Sequence, residues 1–484
     1  MIAINRSTTV LKADPSRVIL LFNSLGIGTY TTENRAEKVI QRVLKLTEEE
    51  VEIMYGELLR EFNHRHKDLS SAFLKFYGSI CDLVPLNLEL SEKRKLLLGA
   101  HFAKEYSIQS AALFNPSIVP HPNQENLEEG EKRFIISLRS VGEGHISSIE
   151  FREGIISKEG EVTLDKITPF SIHSDKDLSI SYNKEQLKDR ATIISNFDTS
   201  IFDALPNDFT YQDYEVAFQA KLFNAYDADA QKFLFDFMDT NYNLIADTGV
   251  PLCERVIFPS AKGEAMGMED VRFVEFKYEN GRKEFIGTYT AYDGHKITPQ
   301  LIMTEDFIHF QIRTMFGNAV SDKGFALFPE KINGKFVMTA RQGGEDITIM
   351  ESDDLYYWNE YKVIMTPQYN WGLVQQGNCG SPLKTEKGWL LLTHAVGPLR
   401  KYVISAILLD MEQPQKIIGN LQSPLISPKE EEREGYVPNV VYSCGAMIHN
   451  DHLIIPYAMS DSATSFATVS VAEILRNMKY ESTN

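Results

Sequence analysis

Cysteine is scarce, with four in 484 residues. Cys81, Cys253, Cys379 and Cys444 lie far apart and form no C-x-x-C, which argues against a disulfide framework or a cysteine zinc site and leaves each as a buried free thiol. An excess of positive charge is lacking too: 49 Lys and Arg stand against 67 Asp and Glu, a net charge of −18. Without a dense cationic patch to displace counterions, no nucleic-acid partner is expected. No run approaches the roughly 20 apolar residues that span a bilayer, so no membrane partner is expected either. The opening stretch MIAINRSTTVLKADPSRVILLFNS has no basic segment followed by an uninterrupted apolar one, which points to a cytoplasmic location. An H-x-x-x-H spacing is also missing. His145 in GEGHISSIEF and His394 in LLLTHAV sit among apolar or small residues, as packed or sugar-contacting side chains, and no metal or other cofactor is expected.

Apolar and aromatic residues are plentiful. Hydrophobic residues make up 43% of the chain, with 28 Phe and 21 Tyr, enough for a large core in two or three domains. Residues 34–114 read as helical. Thr47 and Glu50 in LTEEEVEIMYGELLREF fit a capping box, and Val51, Met54, Leu58 and Leu59 share one face of the helix that follows. A second helix is predicted from Ser91 in LSEKRKLLLGAHFAKEYSIQSAALF to just before Asn115-Pro116.

From about residue 115 the pattern changes to short apolar or alternating runs, such as EFIGTYTAY, WLLLTHAV and YVISAILLDM, separated by turn residues. Asn280-Gly281 and Asn333-Gly334 supply the positive φ of tight hairpins. A weak repeat runs through LIMTEDFIHF, ITIMESDDLYYW and LLDMEQPQKI, whose Asp306, Asp354 and Asp410 are spaced by 48 and 56 residues. A period of about 50 with about four strands per unit is that of a propeller blade, and the rest of the chain holds five long blades or six to seven short ones. A sandwich or a pair of stacked β domains would show a similar pattern. The division expected is a strand and helical extension over 1–114 and an all-β domain over 115–484.

An axial cleft lined by carboxylates and aromatics suits sugars, whose ring faces stack and whose hydroxyls need paired donors and acceptors. The most informative stretch is GEAMGMEDVRFVEF, where Glu269, Asp270 and Arg272 precede a strand. A carboxylate beside a guanidinium on a strand end is held in one rotamer and suits oriented proton transfer; the same trio would equally serve as a surface salt bridge closing a blade.

At this stretch, and in FALFPEKINGKFVMTAR, GNCGSPLKTEKGWLLLTHAV and SPKEEEREGYVPNVVYSCGA, taken in order, the chain resembles glycoside hydrolase family 130, the mannoside phosphorylases and β-mannosidases. The resemblance implies a five-bladed β-propeller and an inverting attack on a terminal β-mannoside. By its place in the E-D-P-R element, here MEDVRF with Val271 for the proline, Asp270 would be the general acid, acting through a sugar hydroxyl. Asn115 in LFNPS, Arg139 in RFIISLRSVGEG and Asp461 would bind sugar, beside Glu269 and Arg272.

The phosphorylase pattern reads N-K-D before L-F-P and H-R-P after the next strand, whereas this chain has Ser321-Asp322-Lys323-Gly324 and Ala340-Arg341-Gln342. Lys323 and Arg341 persist and the histidine becomes Ala340, which would remove a phosphate donor and leave room for water. Glu345, in Gly343-Gly344-Glu345-Asp346, would then be the base of an inverting hydrolase. The expectation is an exo-acting β-mannosidase that releases mannose from β-1,2-linked mannooligosaccharides. The alternative is a β-1,2-mannoside phosphorylase yielding mannose 1-phosphate, and a third reading is a catalytically silent sugar-binding propeller. The apolar stripe of the helical extension could lie against another subunit in a homo-oligomer.

Overall fold

Hydrogen-bonding side chains set where the first helices begin. In the computed structural model of the chain, which describes residues 2–25, 35–194 and 199–480, Thr47 Oγ1 accepts from the Glu50 amide and Glu50 returns the bond to the Thr47 amide, so the helix Glu48–Phe62 starts on a complete capping box. Asn34, where the helical reading begins, lies outside the described residues. Helices Arg35–Leu44, Glu48–Phe62, Leu69–Gly78 and Glu92–His101 and the paired strands Val18–Phe22 and Ala103–Ser107 form a unit of residues 14–110 and 168–172. Its core includes Ile40, Val51, Leu98 and Phe102. Buried Arg94 ties the first inter-helix turn by donating to the carbonyls of Val43 (2.6 Å) and Leu46 (2.7 Å) and to Glu48.

The helix begun at Ser91 is shorter than its sequence suggests. Ser91 caps it as expected, but it ends at His101, and the next residues enter strands Ala103–Ser107 and Ala112–Pro120. Asn115 therefore lies within a strand and does not follow a helix. Tertiary pairing decides this, because Lys104 and Glu105 pair with Leu21 and Leu20.

The remaining unit comprises residues 2–13, 111–167 and 173 onward. Its described residues contain five successive antiparallel meanders. The first runs through Ala112–Pro120, Lys132–Val141, Ser147–Ile156 and Val162–Leu164. The second is Gly267–Lys277, Lys283–Tyr292, Ile297–Thr304 and His309–Thr314. The third is Ala326–Leu327, Phe336–Ala340, Ile347–Ser352 and Lys362–Met365. In the fourth, Gln375–Asn378 pairs with Gly388–Val396, followed by Tyr402–Leu409 and Ile417–Asn420. In the fifth, Val441–Tyr442 pairs with His452–Met459, then Ala463–Ser470, and the outer strand comes from Asn5–Arg6 and Leu11–Lys12 at the other end of the chain. Residues before 14 thus belong with the sheets.

Asp306, Asp354 and Asp410 all occupy the turn between the third and fourth strands of successive meanders. Each carboxylate accepts from the amide two residues on, at 2.8, 2.8 and 3.0 Å, the Asx turn that favours aspartate there. Asn333 and Gly334 both have positive φ, 52° and 78°, as a type I′ hairpin requires, whereas at Asn280-Gly281 only the glycine does, at 84°.

The reading of 115–484 as all-β needs correction between the first two meanders. Helices Lys184–Ile194, Tyr211–Gln219 and Ala228–Thr240 occur there, packed around Phe202, Phe209, Leu234 and Phe237. The fold is mostly β, with helices at the start and in this insertion and a short one, Val471–Asn477, after the last strand of the fifth meander.

Candidate functional site

The first strand of each meander carries a residue into, or next to, one cluster, and backbone irregularities aim them. In the first meander the ladder slips between Phe114 and Ser117, leaving Asn115 at φ 48°. In the second it slips between Glu269 and Arg272, leaving Asp270 at φ 56°. Bulges re-aim side chains, and left-handed backbone at non-glycine residues marks sites where geometry is held against local preference. The two bulges are tied by the Phe273 amide donating to Ser117 Oγ, at 3.1 Å.

Asp270 Oδ1 accepts from Asn115 Nδ2 at 2.7 Å and from Arg139 Nη1 at 3.2 Å. Arg139, near the end of the second strand, also donates to Glu269 Oε1 at 2.6 Å and to Ser147 Oγ at 2.8 Å, and its guanidinium lies over the Phe114 ring. Burial opposes ionisation of Asp270, yet Arg139, Lys323 and Arg272 together with the Asn115 amide outweigh it and hold the carboxyl below its usual range. Glu269 is shifted upward, by burial and by repulsion from Asp270, over the opposing pull of Arg139. Asp461, at φ 50° in the turn between the fifth meander's second and third strands, is pushed up to about 6 by burial and by Asp270, against Arg139 and Arg400. In this trio Asp270 is the carboxyl held ionised, while Glu269 and Asp461 retain protons to higher pH.

Cations gather around the acids. The charge of Lys323, just before the third meander's first strand, acts on both Glu269 and Asp270. Buried Arg272 donates to the Tyr442 hydroxyl at 2.6 Å. Arg341, directly after Phe336–Ala340, donates from Nη1 to His394 Nε2 at 3.2 Å, while His394 Nδ1 donates to the Asn378 carbonyl at 3.1 Å. One neutral tautomer satisfies both bonds. Burial, then Arg341 and Arg272, keep the His394 pKa well below its usual value. Tyr402 stacks on the His394 ring at 5.9 Å and Tyr442 meets it edge-on at 4.9 Å. Nε of Arg272, Nε of Arg341 and the Oδ1 atoms of Asn115 and Asn378 are buried without hydrogen-bond partners among the described residues. Such groups are costly in a protein interior and suit a polar ligand.

Of the residues singled out in the sequence, Asn115, Arg139, Glu269, Asp270, Arg272, Lys323 and Asp461 are thus linked by contact or by charge. Arg341 joins them through His394 and, beyond it, Tyr442. Glu345 stands apart: its side chain is exposed and makes no hydrogen bond or ion pair with a described residue, although its carbonyl accepts from the Gln376 amide. Ala340 is fully buried in an apolar cluster with Met338, Phe325 and Trp358, so that position is filled by packing. Ser147, Tyr402, Tyr442 and Asn378 were not singled out, although Asn378 lies in GNCGSPLKTEKGWLLLTHAV and Tyr442 in SPKEEEREGYVPNVVYSCGA, two of the motifs that carry the family resemblance.

A mostly-β protein with a half-buried carboxylate trio threaded by guanidinium groups fits the carbohydrate-active enzymes as a class. The model of glycoside hydrolase family 130, described as beta-1,4-mannooligosaccharide phosphorylase, matches residues 221–480. That is more than half of the chain, and the chain belongs to this family. It is similar to 1,2-beta-oligomannan phosphorylase of Thermoanaerobacter sp. (strain X514), 41% identical over 155 residues, which are 32% of this chain and 52% of that protein. Similarity to beta-1,2-mannobiose phosphorylase of Listeria innocua is 29% over 236 residues, 46% of this chain and 64% of that protein. The chain therefore spans about half to two thirds of the length of these relatives. Among solved structures, the beta-1,2-mannobiose phosphorylase from Listeria innocua in complex with beta-1,2-mannobiose is 20% identical with a TM-score of 0.46, covering 77% of this chain and 92% of that one.

Proposed function

We propose that this chain is a β-1,2-mannoside phosphorylase. It would move the terminal mannosyl group of β-1,2-mannobiose or a longer β-1,2-mannooligosaccharide onto inorganic phosphate, with the five meanders as blades of a five-bladed β-propeller and residues 115–484 as the catalytic module. The observation that carries this reading is the cation set around the site: Lys323 acts electrostatically on Asp270, and Arg341 is oriented by a neutral His394, with its Nε buried and without a hydrogen-bond partner among the described residues. A dianion needs such a set, and a guanidinium presents a planar fork that matches phosphate oxygens.

In this reading Asn115, Arg139 and Asp461 hold the terminal mannosyl ring. Asp270, ionised in the free protein, takes up a proton from solvent as substrate binds and passes it, through a sugar hydroxyl, to the glycosidic oxygen. Hydrogen phosphate gives up its proton to solvent as it becomes the sugar phosphate, so one proton enters and one leaves in each turnover. A phosphate oxygen held by Lys323 and Arg341 attacks C1 from the opposite face as the C1–O bond breaks, so the β-linkage becomes α-mannose 1-phosphate. The names of the two relatives described above, a 1,2-beta-oligomannan phosphorylase and a beta-1,2-mannobiose phosphorylase, support the same choice.

The hydrolytic reading, favoured by the sequence pattern, has less behind it. It needs room for water at Ala340, which is packed, and a base at Glu345, which is exposed. Incubating the protein with β-1,2-mannobiose with and without phosphate decides between the two. Mannose 1-phosphate formed only with phosphate is expected, and free mannose released at the same rate without it would defeat the proposal.

A further inference from the structure

The hairpin between the second and third strands of the fourth meander turns through Leu399 and Arg400, both left-handed, with φ 57° and 54°. The turn is closed by Lys401 N–H to the Pro398 carbonyl, at 3.2 Å, and Gly397 N–H to the Lys401 carbonyl, at 3.0 Å. Two left-handed residues in succession make a turn that strongly prefers Asn-Gly, and neither Leu nor Arg adopts that backbone readily. Nothing in the turn compensates: Leu399 is 92% exposed, and Arg400 forms no hydrogen bond or ion pair with a described residue. Strain kept without local gain points to a role for the side chains.

Backbone hydrogen bonds place the turn on the rim of the site. The Tyr402 amide donates to the Asn439 carbonyl at 3.0 Å, and the Val437 amide of the same loop donates to the Ser460 carbonyl at 3.0 Å, beside Asp461. The exposed Arg400 lies within electrostatic reach of Asp461. On the same loop the Tyr436 ring is 61% exposed and lies 5.8 Å from His145. In this reading the terminal sugar sits at half-buried Asp270, with buried Arg272 beside it. A chain cleaved at its terminal sugar must therefore lead outward past this rim.

We propose that the Leu399–Arg400 turn determines chain-length specificity, with Arg400 binding the hydroxyls of the sugar beyond the leaving residue and Leu399 covering that sugar's apolar face. The inference rests on the phosphorylase reading and adds that longer β-1,2-mannooligosaccharides are preferred over the disaccharide.

The test compares kcat/KM for β-1,2-mannotriose and β-1,2-mannobiose in saturating phosphate, for the wild type, Arg400→Ala and the double variant Leu399→Asn/Arg400→Gly. The double variant supplies residues that the turn favours, so it should fold and melt above the wild type. Losing a charge-assisted hydrogen bond should lower the trisaccharide-to-disaccharide ratio about tenfold in both, with partial recovery in Arg400→Lys. Phosphate-dependent cleavage in which both variants keep the wild-type ratio overturns this inference alone. A wild type with no phosphate-dependent cleavage overturns the reading beneath it.

Discussion

Asn115 Nδ2 and Asp270 Oδ1 meet at 2.7 Å although 155 residues separate them, and each stands at positive φ in its own strand bulge. The amide thus fixes the carboxylate's rotamer and favours its charged form. Replacing Asn115 by Gly keeps the left-handed backbone strain-free while deleting only the amide. Loss of a hydrogen bond to a charged group is worth about 1.5–3 kcal/mol. We expect kcat/KM to fall between about tenfold and 100-fold, with the basic limb of its pH profile, set by loss of the Asp270 proton, moved upward and the melting temperature little changed. Steady-state kinetics across pH check this.

Asp461 makes the pH dependence of stability testable. Its carboxyl titrates at about 6 in the folded protein, above the ordinary aspartate value. Between the two values the folded state holds a proton that the unfolded chain has released. The stability it contributes is therefore complete below about pH 4 and lost as pH climbs through about 6. Asp461→Asn should melt with the wild type near pH 4 and about 2–4 °C above it at pH 7.5. Scanning calorimetry across that range, finding no divergence, would contradict the assignment.

Arg341 separates phosphate binding from sugar binding. Its Nη1 is satisfied by His394 and its Nε has no hydrogen-bond partner among the described residues. Substituting Gln removes the charge and should raise KM for phosphate at least about tenfold, leaving KM for β-1,2-mannobiose within about twofold. Equal rises in both would mean that Arg341 does not bind the anion.

Much of the helical unit was legible, because capping is local. Thr47 and Glu50 cap as their spacing predicts, and Ser91 starts its helix by accepting from the Arg94 amide. The end of that helix was not legible, since pairing of Ala103–Ser107 with Val18–Phe22 overrides local preference. The acidic repeat marked real turns because an Asx turn needs aspartate there. The helical insertion was missed although its caps are local too: Thr210 with Asp213, and Asp227, initiate helices as Thr47 does. In the site, MEDVRF pointed to Asp270 and its neighbours. The orienting role of His394 depends on which nitrogen faces Arg341, and no sequence pattern encodes that.

The capping box also offers a control away from the site. Thr47→Ala should lower unfolding stability by about 1 kcal/mol and leave kcat unchanged, as read from denaturant melts and activity on one preparation.

Running the reaction backward tests the central claim most directly. Supplied with α-mannose 1-phosphate and mannose, the wild type should form β-1,2-mannobiose and release phosphate, and Asp270→Asn should do so slower by a factor on the order of 100 to 10,000. Release of phosphate without any disaccharide, or equal rates in the two proteins, would contradict the account.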